Sequence, residues 1–391
     1  MIKYIAMLFV CAVSVSTAYA DDDLSLIDLF GEETKKQDVQ KSEKQETWSD
    51  VESAKKQALS SEKETDDKEK VDDEGVFSFL NFSFLRKDKA KELARKNDEP
   101  QESYEERINR LASEGDVDAC LTLGYMYLYG ENGLEQDAQK AFQYYSMAAE
   151  KNDKIALNNL GSLYFSGIGV KKDKKRAVEL FEKAALLGNN EAAVNLAFVY
   201  MTSVKNIDGN MRSTIVRLFN QAAEGGNITG QYMMGMIYYN GYGIAKNDER
   251  AFVLLKKAAE QYDEAQYQLA LRYMNAEGTP RNYKNAVANL VKAAKQGHIP
   301  SMVWLGDILS AGTSYPKNEY EAYIWYNIAS VYDAPNVAEK RDILEQKLKI
   351  EEVLQAQETA ESFKSKPTAI TDYVHRTFGV NLADYVSAPQ K

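Results

Sequence analysis

One pattern of small and large side chains returns about every 36 residues along the middle of this chain, and self-similarity at such a period marks a stacked architecture. The first anchor is an apolar residue followed by Gly or Ala, with Tyr or another apolar residue three positions on. It reads Leu123-Gly124…Tyr127, Leu160-Gly161…Tyr164, Leu196-Ala197…Tyr200, Met234-Gly235…Tyr238, Leu269-Ala270…Tyr273 and Leu305-Gly306…Leu309, at spacings of 35 to 38 residues. A second anchor follows in each unit: Ala141-Tyr145-Ala148, Ala177-Phe181-Ala184, Ile215-Phe219-Ala222, Ala251-Leu255-Ala258, Ala286-Leu290-Ala293 and Ala322-Tyr326-Ala329. Offsets of four and seven put these residues on one face of a helix. The small residue of the first anchor lets two helix backbones approach, and the large residue of the second fills the space between them. Neither helix can bury its stripe alone, so each unit needs its neighbours.

The loop inside a unit is also regular. Gly167-Ile168-Gly169-Val170 with Asp173, and Gly241-Tyr242-Gly243-Ile244 with Asp248, predict a left-handed helix end followed by a capped second helix. No strand precedes these glycines, and no third Gly or Lys completes a phosphate-binding loop. Two units depart from the pattern: Ser203 to Asn210 replaces the Gly-x-Gly loop of unit three, and unit six carries Gly312-Thr313-Ser314-Tyr315-Pro316.

Together the Leu-Gly-x-x-Tyr anchor, the Gly-x-Gly-Val loop and unit ends such as Ala184-Ala185-Leu186-Leu187-Gly188-Asn189 resemble the Sel1-like repeat family, a branch of the tetratricopeptide-like superfamily. The resemblance implies an all-α fold, a right-handed α/α solenoid of helix–turn–helix repeats, over 101–333. It would comprise a leading half repeat and units at 118–152, 153–189, 190–227, 228–262, 263–298 and 299–333. The disulfide pair that cysteine-rich relatives carry in each unit is missing. A charged helical cap is expected at 334–366, with a polar outer face, and a tail at 367–391 with a short helix from Ile370 to Phe378 and a loose end.

The first 20 residues differ in kind. Lys3, the apolar run Ile5 to Val15 and Ala18-Tyr19-Ala20 read as a signal peptide cleaved after Ala20, with an uncleaved anchor as the alternative. Cleavage leaves a single cysteine, Cys120, expected as a small core residue. Residues 21–100 hold 23 acidic and 15 basic side chains and read as a disordered acidic linker. Two apolar islands interrupt it at 24–30 and 76–85. The second carries Phe77, Phe79, Phe82 and Phe84, too much apolar area to leave in water at about 25 cal/mol per Å². It is a candidate docking motif for the array, a partner or a membrane surface.

A net charge of −11 argues against nucleic acid as a partner, since phosphate binding needs a basic patch. With two histidines, His298 and His375, in distant regions, a metal cluster or a histidine-based triad is hard to assemble. His298 reads as a helix-end cap and His375 as a surface residue. No catalytic residue, metal ligand or cofactor is assigned. The expected function is that of an exported adaptor, periplasmic or secreted, holding envelope or host proteins. A cell-wall-directed enzyme or glycan-binding module, and a membrane-tethered regulator, are the alternatives. The resemblance places partners on the concave face lined by the first helices. By register the exposed positions are Tyr125 and Tyr129, Ser162 and Ser166, Phe198 and Thr202, Met236 and Asn240, Leu271 and Asn275, and Asp307.

Overall fold

The structure is a computed structural model and describes residues 103–203, 207–378 and 382–386. The leader at 1–20, the acidic segment at 21–100, both apolar islands and part of the unit-three loop lie outside the described residues. Among the described residues there are 16 α-helices and no strand. After α1 (Tyr104–Ser113) come six pairs: α2 (Val117–Tyr129) with α3 (Ala138–Glu150), α4 (Lys154–Ser166) with α5 (Lys174–Leu186), α6 (Asn190–Ser203) with α7 (Gly209–Glu224), α8 (Ile228–Asn240) with α9 (Asp248–Ala258), α10 (Asp263–Asn275) with α11 (Tyr283–Gln296), and α12 (Ile299–Ala311) with α13 (Glu319–Val331). The chain continues through α14 (Ala338–Glu345), α15 (Ile350–Ser362), α16 (Ala369–Phe378) and a 3₁₀ helix, Leu382–Val386. Each helix of the array packs on the one before it and the one after it, as a solenoid requires.

The two anchors meet across each pair. A Cβ placed on Gly124 would lie 2.5 Å from the Tyr145 ring, and one on Gly306 would lie 2.3 Å from Tyr326. Tyr145, Phe181, Phe219, Leu255 and Leu290 are fully buried at the matching positions. The small residue is therefore a steric requirement of the pair.

Helix ends follow from capping chemistry. Asp173 accepts from the Arg176 amide at the start of α5. In unit four the cap is Asn247 and not Asp248, which sits in the first turn beside it and faces the helix's positive end. Gly167 and Gly241 close α4 and α8 at φ +82° and +70°, a conformation that costs glycine nothing. The second glycine of the loop does something else: a Cβ on Gly169 would lie 2.1 Å from the Ala138 carbonyl oxygen. The loop thus lies directly on the start of the preceding unit's second helix.

The cap α14–α15 buries Leu344, Val353, Ala356 and Ala360, but its outer face is not wholly polar, because Ile343, Ile350 and Leu354 are exposed. The largest difference from expectation concerns the end of the chain. Among the described residues there it is not loose: α16 and the 3₁₀ helix turn back and pack on the first helices of the array, with Val374, Leu382 and Val386 fully buried.

Candidate functional site

The first helices begin in a common way. Asp116, Asp153, Asn189, Asn227 and His298 each accept a backbone amide from the first turn of α2, α4, α6, α8 and α12. His298 is indeed a cap. Its Nδ1 accepts from the Ser301 amide, and its Nε2 lies 2.9 Å from Glu264 Oε2. At the start of α10 the equivalent residue is Tyr262, which makes no side-chain cap. It is buried and stacks edge-on against Tyr232 at 5.0 Å.

Here the Asp263 carboxylate accepts from the next amide, that of Glu264, at 2.7 Å, and the first amide finds its acceptor 108 residues away. The Asp263 amide donates to Thr371 Oγ1 of α16 at 3.1 Å. Thr371 in turn donates to Gln296 Oε1 at 2.7 Å, and the Thr368 amide donates to that same oxygen at 3.0 Å. Thr368 Oγ1 donates to the Gln261 carbonyl. One helical turn further on, His375 Nε2 lies 3.1 Å from Asp263 Oδ1. The Asp263 side chain is 1 % exposed, and its Oδ2 has no hydrogen-bond partner among the described residues. His375 is therefore a partner to a buried carboxylate and not a plain surface residue. Burial alone would lower its pKa, but hydrogen bonding to Asp263 and the charges of Asp263, Glu264 and Asp372 outweigh that and raise it.

Beyond α16 the contact becomes apolar. Phe378 stacks on Phe198 of α6 with centroids 4.2 Å apart, and Tyr385 meets the same ring edge-on at 5.7 Å. The 3₁₀ helix packs against α8. Phe165 of α4 and Thr202 of α6 complete this end of the groove.

These contacts revise the expected docking positions. Tyr125, Ser162, Phe198 and Met236, expected to be exposed, are buried. Tyr125 lies against Tyr129 at 4.9 Å and donates to Glu131, while Ser162 donates back to the Asn158 carbonyl. Phe198 is covered by Phe378 and Tyr385, and Met236 sits on the helix that carries the 3₁₀ helix. Thr202 and Asn275 are exposed, and Tyr129, Ser166, Asn240, Leu271 and Asp307 are half-buried. Asp307 accepts from Tyr326 and pairs with Lys340 at 2.6 Å, so it serves the junction with the cap. Register reasoning missed Asp263, Thr371 and His375. One signal was available in the sequence: a tyrosine at 262, where the other units place Asp, Asn or His.

Cys120 is buried in α2, and burial, aided by Asp116, raises its thiol pKa. No group among the described residues brings together three His, Cys, Asp or Glu side chains that could hold a metal ion.

The Sel1 repeat family model matches residues 117–153, 154–189, 228–263, 263–298 and 299–330. The helix pairs at those residues are Sel1 repeats. Unit three, with its irregular loop, is the pair of the array that falls outside those matches. Sel1 arrays mediate contacts between proteins and are scaffolds by type. A crystal structure of a Sel1 repeat protein from Oxalobacter formigenes aligns with a TM-score of 0.53 and 25 % identity, over 63 % of this chain and 99 % of that one. Among curated proteins, chitin synthase regulatory factor 3 of Schizosaccharomyces pombe is 27 % identical over 146 residues, 36 % of this chain and 16 % of its own length. Cytochrome c oxidase assembly factor 7 of Xenopus tropicalis is 27 % identical over 148 residues, 37 % of this chain and 64 % of its own. This chain thus spans less than two thirds of either relative.

Proposed function

We propose that this Sel1 protein is an exported adaptor that holds a helical segment of another protein against the face formed by its first helices. The observation that carries the reading is that this face already buries a helix lying outside the repeats, through stacked aromatics, a histidine set against a buried carboxylate and a hydroxyl that accepts the first amide of α10. A surface that accommodates one amphipathic helix has the shape and polarity for others of like chemistry. Relatives named as a regulatory factor and an assembly factor accord with a role exercised through binding.

The export half rests on the leader read at 1–20 and is tested by mass spectrometry of the mature N-terminus. A chain starting at Asp21 agrees with it, and one retaining Met1 favours the tethered alternative. The adaptor half is tested by crosslinking in the native cell envelope with photoreactive groups at Thr202 and Asn275. Specific adducts at these exposed positions of the first helices are expected. Adducts confined to the second helices would move the site elsewhere, and none at all across several growth conditions would remove the reading.

A further inference from the structure

We propose that the returning helix with its lead residue, 368–378, and the 3₁₀ helix, 382–386, are a built-in occupant of the binding groove, and that the partner segment is a short amphipathic helix of the same chemistry that binds by displacing them. The inference rests on the reading above that partners dock on the first helices.

The groove carries features that a bare stack of repeats has no use for. Asp263 is a carboxylate buried at the start of α10, where it accepts from the Glu264 amide, and the returning segment sets the His375 ring against it at 3.1 Å. Its second oxygen has no hydrogen-bond partner among the described residues, and an unsatisfied buried polar atom is costly, so the groove favours a donor group at that point. Tyr262 leaves the first amide of α10 to an outside hydroxyl. Phe198 presents a large aromatic face where other units place smaller or more polar residues. The three lie in line along α10 and α6 and match three groups of one helix: Thr371, His375 and Phe378.

The occupant has the character of an exchangeable ligand. Its buried stripe runs through Thr371, Val374 and Leu382, while its other side shows Arg376 at 68 % side-chain exposure. It makes no repeat of its own. The fit is incomplete, because a crevice of about 80 Å³ remains between Phe165, Phe198 and Thr202 on one side and Thr377, Phe378 and Tyr385 on the other. A competing helix with a bulkier aromatic fills that space and gains contacts that the native segment lacks. The partner motif read from the occupant is a hydroxyl residue, two residues, an aliphatic residue, a hydrogen-bond donor, two residues and an aromatic.

The test uses the full chain and a fluorescently labelled synthetic peptide of residues 366–386. Fluorescence anisotropy measures its binding to the wild type and to Phe378→Ala/Leu382→Ala, whose own segment is weakened. Binding about tenfold or more tighter to the variant is expected, together with loss of binding when the peptide itself carries Phe378→Ala. Circular dichroism of the variant checks that the array is intact, and Phe378→Tyr should restore wild-type behaviour. Equal affinity for both proteins, or binding indifferent to the peptide's own Phe378→Ala, overturns the proposal. Crosslinking of both forms separates the two ideas. Equal partner adducts with the wild type and the variant sink displacement and leave the adaptor standing. Absence of adducts from both sinks the adaptor reading, whatever the peptide does.

Discussion

At the scale of single residues, two kinds of position stand out. The first is the small anchor residue. At Gly306 a methyl group would enter the ring of Tyr326, which also donates to Asp307 and cannot swing aside freely. Gly306→Ala should lower stability by about 1–3 kcal/mol, as overpacking does. Thermal unfolding should show the loss, and restoring space with Tyr326→Leu should recover part of it. An unchanged midpoint would mean that the helices can move apart at no cost. The second is the His375–Asp263 pair. The folded pKa of His375 lies above its ordinary value of about 6.5. Its contribution to docking is therefore fully present below that ordinary value and is lost as pH rises through the raised one. The groups facing it are Asp263, Glu264, Asp372 and the Tyr262 ring, and Glu264 is itself held by His298. The stability difference between the wild type and His375→Gln should accordingly be largest near pH 6 and shrink toward about pH 9. A difference that grows with pH would refute the assignment.

At the scale of elements, each first helix depends on the residue before it. Replacing Asp153 or Asn227 with Ala removes an acceptor for the first turn and should cost about 1 kcal/mol in urea denaturation. The same loss should follow at α10 from Thr371→Val, though that residue belongs to the far end of the chain. Amide hydrogen exchange at the start of α10 would register it, and unaltered protection there would deny Thr371 the capping role. The repeats were legible because their constraint is local: Leu160-Gly161 and Phe181 meet in the same unit, and each copy of the pattern supports the others. The tail was not. A short helix from Ile370 to Phe378 was expected, but its docking depends on pairs such as Phe378–Phe198, a single contact between distant segments with no periodic echo. The caps fell between these cases. Asp173 was legible, whereas Asn247 and Asp248 are adjacent candidates that only backbone geometry separates.

At the scale of the whole molecule, a linear array should lose structure piecewise where a unit is weak. Unit three, with its irregular loop, is the place to look. The returning segment lies across α10, α8 and α6 and reaches Phe165 on α4, so it ties units two to five together. Urea unfolding of the full chain should be a single transition. With Phe378→Ala/Leu382→Ala the transition should broaden and its slope should fall. An unchanged slope would mean that the units cooperate without the segment.

The short run from Phe363 to Thr368 that joins α15 to the returning helix has a quantitative consequence. A ligand held on so short a lead competes as if it were present at roughly millimolar concentration. A free competitor at about one micromolar must then bind on the order of a thousandfold more tightly than the native segment does before it holds half the molecules. A single cut anywhere in those residues abolishes that advantage at once. Proteolysis at the lead would thereby change the strength of binding at the groove without altering one atom of its walls.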